Sequence, residues 1–182
     1  GNGINKHKKK AATFFQMASD KGNTNAMLYL ANMFSTGDGV KKDPVKSAGY
    51  YKMAADNGSI EGMLKYGDIL NQGIEIEKNQ KEAAFYYKKA ADLDVPVAMY
   101  KYGVMLYLGY EKTKKQKKKI KTNDSVKYQY RLFINKKEAA KYFELAANYN
   151  DHRSMLIYGK MLLFGDGIPV DKKEAAKYFK KS

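Results

Sequence analysis

His7 and His152 are the only two imidazoles in 182 residues, and there is no cysteine. Far apart in sequence and without a partner motif, the histidines give neither the ligand spacing of a metal site nor a base set beside a nucleophile. The lack of cysteine removes disulfides, thiolate ligation and thiol catalysis together. Gly37-Asp38-Gly39 and Gly165-Asp166-Gly167 could cradle a phosphate, because glycine-rich turns ahead of a helix offer backbone amides to anions. No strand is legible before them, however, and their spacing is neither the P-loop nor the dinucleotide pattern. Met27, Met63, Met99 and Met155 could suggest a ligand box, and Lys141-Tyr142 and Lys177-Tyr178 a base-stacking surface. Residues that recur at one position of every unit answer a constraint that every unit shares, which is packing between helices. No catalytic residue, cofactor or metal is therefore expected, and the chain reads as a non-enzyme.

The elements behind these residues repeat. Gly165 to Phe179 (GDGIPVDKKEAAKYF) has weaker copies throughout, with the second alanine of each at Ala12, Ala48, Ala84, Ala140 and Ala176, spaced by 36, 36, 56 and 36 residues. A period in the thirties marks a solenoid of stacked supersecondary units. The units read as 1–22 (partial), 23–58, 59–94, 95–150 and 151–182, one array and an excerpt of a longer one that opens in an inter-helix loop at Gly1 and stops inside a helix. First helices begin near Thr24, Ile60, Pro96 and His152, and Gly37, Gly73, Gly109 and Gly165 end them in left-handed backbone. Second helices begin after Asp43, Asn79, Asn135 and Asp171, the last three with capping-box spacing to Glu82, Glu138 and Glu174. In the partial unit, Lys8 to Lys21 forms the second helix, with Ala11, Ala12, Phe14, Phe15 and Ala18 on its apolar face. Paired alanines alternating with paired aromatics, as in Ala83-Ala84 and Tyr86-Tyr87, let helices approach while rings fill the gaps.

In these residues the chain resembles the Sel-one-like repeat family, a branch of the tetratricopeptide-type α-solenoids. Ala26, Leu30, Ala31, Phe34, Gly37, Gly39, Val40, Asp43, Ala48, Tyr50, Tyr51, Ala54, Ala55 and Gly58 carry the pattern, while Glu75 and Glu111 depart from it at the second loop glycine. The resemblance implies an all-α, right-handed superhelical solenoid of helix-loop-helix repeats, adaptor and scaffold roles, and first helices lining the concave side.

Comparing the units with one another picks out a surface. The recurrent first-helix positions oppose a second set that varies from unit to unit. That set is Tyr29, Asn32 and Thr36; Lys65, Asp68 and Gln72; Lys101, Val104 and Leu108; and Ile157, Lys160 and Phe164. A protein or peptide partner is expected there, with Tyr29, Asn32, Lys65, Asp68, Lys101, Val104, Ile157 and Lys160 as contacts and Tyr29, Val104 and Ile157 as exposed apolar anchors.

The 20 extra residues of the third interval form a basic insert, residues 112–131, with a net charge of +8 out of +15 for the chain. Lys112, Lys114, Lys115, Lys117, Lys118, Lys119 and Lys121 make its first half too charged to bury, whereas Val126, Tyr128, Tyr130, Leu132 and Ile134 alternate with polar residues as in a strand. The expectation is a mobile basic tip on an arm laid against the helical body, a solvated loop in the plainer reading and a dock for an acidic partner in the other, since a lysine run attracts without specificity. Binding of nucleic acid or another polyanion through this insert is the alternative function, and salt dependence separates it from peptide recognition. No apolar run approaches the ~18 residues of a membrane span, and no leader pattern opens the chain. The compartment stays open, with the cytoplasm as the default.

Overall fold

The computed structural model describes the backbone of residues 2–111, 117–122, 125–130 and 132–182, and the side chains of residues 7–110 and 133–182. Its helices are α1 (Asn2–Asp20), α2 (Thr24–Thr36), α3 (Pro44–Asp56), α4 (Ile60–Gln72), α5 (Gln80–Ala91), α6 (Pro96–Leu108), α7 (Lys136–Asn148), α8 (His152–Phe164) and α9 (Lys172–Lys181). They form two compact units, residues 1–86 and 87–182, that divide within α5. In the first, α1 packs on α2, α2 on α3 and α3 on α4; in the second, α6 packs on α7, α7 on α8 and α8 on α9.

The helix starts follow from capping. Side-chain oxygens of Asn23, Ser59 and Asp151 accept the amides of Ala26, Gly62 and Ser154 at α2, α4 and α8, while α6 begins without such a bond, after Val95, on Pro96. At the second helices Asp43, Asn79, Asn135 and Asp171 accept from the amides three residues on, at 3.0, 3.2, 3.1 and 2.9 Å. The expected reciprocal half of the capping box is absent. Each capping residue's own amide instead donates to a carbonyl near the end of the preceding first helix, to Phe34, Leu70, Leu106 and Leu162 at 2.8 to 2.9 Å. Glu82 and Glu138 accept from the side-chain amides of Asn79 and Asn135. Each loop is thus tied by backbone, whatever the glutamate does.

Two helix ends differ from expectation. The loop expected at Gly1 to Ile4 is helix from Asn2 onward, because His7 and Lys8 stand where Asp43 and Pro44 stand, and neither stops a helix from running back. Gly109 does not take the left-handed cap of Gly37, Gly73 and Gly165: at φ 87° and ψ 152° it turns the chain outward into the insert.

There two short antiparallel pairs accompany the helical repeats. β1 (Tyr110–Glu111) pairs with β4 (Leu132–Phe133), forming a neck anchored by buried Tyr110 against the Phe133 ring at 5.5 Å. Beyond it β2 (Lys117–Thr122) pairs with β3 (Ser125–Tyr130), from Lys117 opposite Tyr130 to Thr122 opposite Ser125. The strand expected around Val126, Tyr128 and Tyr130 is present, but Ile134 lies outside it and is 53% exposed. Lys117, Lys118, Lys119 and Lys121 lie in a paired strand rather than a basic tip, since a ladder joins through backbone and does not require its side chains to be buried. Lys112, Lys114 and Lys115 fall outside the described residues. The neck closes the excursion, and Asn135 still donates to Leu106 at 2.9 Å, as Asn79 does to Leu70 without an insert. Joining Glu111 to Leu132 through a two-residue turn should therefore change the melting temperature by only a few degrees and reduce retention on heparin. Loss of cooperative unfolding would show the insert to be structural.

Core packing repeats as well. Tyr66 on Tyr86, Tyr102 on Tyr142 and Tyr158 on Tyr178 make edge-to-face contacts at 5.1, 4.8 and 5.0 Å. Ala83 and Ala90 are fully buried in α5 and Ala139 and Ala146 in α7. Ala84 is 3% exposed, so Ala84→Leu should overpack its surroundings and cost about 1 to 3 kcal/mol in thermal or urea unfolding. Of the face expected on α1 only Ala12 is buried, and Phe14 is 68% exposed. The hydroxyls of its counterparts Tyr50 and Tyr86 rest on Gln16 and Asp56 of an earlier second helix, and none precedes α1 among the described residues.

Candidate functional site

The Gly-Asp-Gly loops hold helices together instead of cradling an anion. Asp38 pairs with Lys8, and Asp166 accepts from Lys136 Nζ and from the Tyr107 hydroxyl, both at 2.6 Å. The hydrogen bond from Lys136, followed by that from Tyr107, holds the Asp166 carboxyl below its ordinary range, and the bond to Asp166 raises the Tyr107 hydroxyl. The second glycine of each loop lies against the lysine's own backbone: a Cβ on Gly39 would come within 2.9 Å of the Lys8 carbonyl carbon, and one on Gly167 within 3.1 Å of that of Lys136. The two loops lacking this glycine follow second helices that start with Pro44 and Gln80, where no lysine offers a charge. Glu75 and Glu111, which depart from the repeat pattern, stand in those two loops.

Among the described residues no group of three or more His, Cys, Asp or Glu side chains could hold a metal ion, and no helix is long and apolar enough to cross a membrane.

The variable positions stand on α2 and α4 in the first unit and on α6 and α8 in the second. In the first unit Tyr29 is 57% exposed with its ring stacked on Phe15 at 4.9 Å and 16°. Asn32 and Lys65 are exposed and Asp68 is half-buried. Tyr29 and Asn32 line a groove of about 260 Å³ together with Asn25, Leu28 and Glu61. The sequence reading missed those last three. Asn25 lies one turn before Tyr29 and was within reach of the helical spacing, whereas Glu61 belongs to the next helix and shares the groove only through packing.

In the second unit Lys101 is half-buried, with its ammonium 5.5 Å from the centre of the Tyr87 ring, and Lys160 is exposed. Val104 and Ile157 are half-buried rather than exposed. Both are branched side chains with longer ones one turn away, Lys101 and Leu108 for Val104 and Lys160 for Ile157. The exposed apolar groups of this face are Leu108 at 64% and Phe164 at 73%. At the start of α8 the Arg153 guanidinium lies 4.1 Å from the centre of the Tyr100 ring and 2.7 Å from Asp151. Burial raises the Asp151 carboxyl, but the Arg153 and Ser154 donors outweigh it and leave its pKa lowered. The first unit thus offers a stacked, exposed ring and the second cation–ring contacts and exposed apolar side chains, which are the materials of protein recognition.

The Sel1 repeat model matches residues 1–23, 24–59, 60–95, 96–119, 128–151 and 152–182. No curated protein matches the chain. Among solved structures it is similar to a Sel1 repeat protein from Oxalobacter formigenes, at 24% identity and a TM-score of 0.70 over 96% of this chain and 63% of that one. A protective antigen of uropathogenic Escherichia coli strains, which displays an SLR fold, matches at 23% identity and 0.77 over 96% of this chain and 33% of that one. Cysteine-rich protein B of Helicobacter pylori matches at 23% and 0.55, over 86% of this chain and 99% of that one. The chain thus spans less than two thirds of the first two structures, and at these identities the likeness concerns the fold. With six matched segments spread over nearly its whole length, the chain belongs to the Sel1 repeat family and has its tetratricopeptide-like α-solenoid fold.

Proposed function

We propose that this chain binds a protein or peptide segment on the variable face of its first helices, the side that family resemblance makes concave, and acts without catalysis. Sel1 repeat proteins are in general protein–protein interaction scaffolds. The observation that carries the finer reading is Tyr29, a ring more than half exposed yet held flat against Phe15 beside a groove. An aromatic side chain held in this way loses little conformational freedom on binding, which favours it as an anchor. Lys65, Lys101 and Lys160 serve orientation and encounter rate more than affinity. Benzophenone side chains placed at positions 29 and 108, and for comparison at 85 and 137 on second helices, test this in cells. Cross-links to the same protein from the first pair alone support the reading. Cross-links from the second pair alone overturn it.

A further inference from the structure

Position 30 sets one crevice apart. Leu30 stands where α4, α6 and α8 have Tyr66, Tyr102 and Tyr158, and Lys46 stands where Glu82, Glu138 and Glu174 follow the other second-helix caps. In the neighbouring crevice the Tyr66 ring fills the space against Tyr86, and its hydroxyl donates to Glu82 at 3.4 Å. In the crevice between α1 and α3 both partners of that pair are replaced at once. Phe34 stacks on Tyr50 at 5.6 Å, the Tyr50 hydroxyl rests on Gln16, and the Lys46 ammonium lies 5.4 Å from the centre of the Phe34 ring. The tyrosine–carboxylate hydrogen bond of the neighbouring crevice is replaced here by Leu30 and by a cation beside the Phe34 ring.

Beside this crevice a groove of about 500 Å³ opens between α1, α2 and the loop after α2, with Thr13 and Gln16 as its polar lining. Leu30 and Ala12 form its floor, Phe34, Val40 and Met17 its apolar walls, and Lys9 and Lys41 lie on its exposed rim. No carboxylate is among the described residues that line it. Met17, which borders it, is 56% exposed. Apolar walls beneath lysines select an apolar group carried between negative charges, and the ring that the other crevices supply from within points to an aromatic one.

We propose that this groove binds an acidic peptide segment through one aromatic side chain, whose ring takes the place filled elsewhere by the tyrosine of the first helix. The inference rests on the scaffold reading only in that the ligand is a peptide. The groove shares no lining residue with the one that Tyr29 and Asn32 line, so cross-linking from the first-helix face is untouched by its failure.

Titration of the isotope-labelled chain with Ac-Asp-Glu-Phe-Glu-Asp-NH2, followed by amide and methyl shifts, tests the proposal. Saturable shifts should gather on Ala12, Met17, Leu30 and Val40. Replacing the peptide's phenylalanine by alanine, or its acids by their amides, should weaken binding at least fivefold. Leu30→Tyr should fill the groove and weaken binding at least tenfold. Should that variant fold poorly, Lys9→Glu with Lys41→Glu, both on the exposed rim, provides the same reading through charge. No saturable shift at millimolar peptide, equal binding of the alanine peptide, unchanged binding by the variants, or shifts gathered around Tyr29 and Asn32 would each overturn the assignment.

Discussion

Gly62→Ala will destabilise the protein although alanine is the better helix former. Gly62 lies in α4 where that helix crosses α3, and a Cβ there would meet the Ala55 amide nitrogen at 2.6 Å and the Ala54 Cβ at 2.9 Å. Both obstacles belong to a backbone or its first side-chain carbon, so neither can rotate away, and the helices must separate. The gain in propensity is about 1 kcal/mol. Overpacking costs about 1 to 3 kcal/mol and also loosens the contacts of fully buried Ala54 and Ala55, so the net change is a loss. Gly49 in α3 is the matched control: a Cβ there meets nothing within 4 Å, and Gly49→Ala should stabilise by about 0.5 to 1 kcal/mol. Urea unfolding of the two variants should give shifts of opposite sign. Equal stabilisation by both would remove the close approach from the account.

Raising the pH through the tyrosine range should unfold the chain. Burial, then the nearby Glu82 and Tyr86, pushes the Tyr66 hydroxyl from 10.0 up to about 12. Burial likewise raises Tyr51, Tyr86, Tyr102, Tyr142, Tyr158 and Tyr178. A group whose folded pKa lies above its unfolded one stabilises the fold fully below the unfolded value and loses that contribution as pH rises through the folded value. For Tyr66 the window is pH 10 to 12, and the other shifts have the same sign, so their losses accumulate. Lys52, whose hydrogen bond to Asp56 raises its pKa, acts in the same direction. Tyrosinate absorbance and helical ellipticity should therefore change together, in one transition above pH 10. Smooth ionisation centred near 10 with helicity intact would show that the rings are not packed as described.

Local signals fix most of this architecture. The caps Asp43, Asn79, Asn135 and Asp171 and the alanine–aromatic pairs lie within one or two turns of what they act on, and the helices start accordingly. The misses are of another kind. The loop expected at Gly1 is helix from Asn2 because what ends a helix is a cap, and His7, at the position of Asp43, is not one. The lysines of β2 show no period-two pattern because their strand is defined by pairing with β3, a partner their own residues do not reveal. At the candidate site, Tyr29 and Asn32 were legible from within-chain variation, whereas Glu61 and the burial of Val104 and Ile157 depend on neighbours brought near by folding. The role of Asp38 and Asp166 required seeing that their partners sit 30 residues earlier, one repeat back.

Affinity for the partner identified by cross-linking tests the scaffold reading most directly. Tyr29→Ala combined with Leu108→Glu, both at exposed positions, should weaken that complex at least tenfold, with far-ultraviolet ellipticity and melting temperature close to those of the unaltered chain. Unchanged affinity in this variant, together with loss of binding when Phe85 and Lys137 on the second helices are replaced, would contradict it.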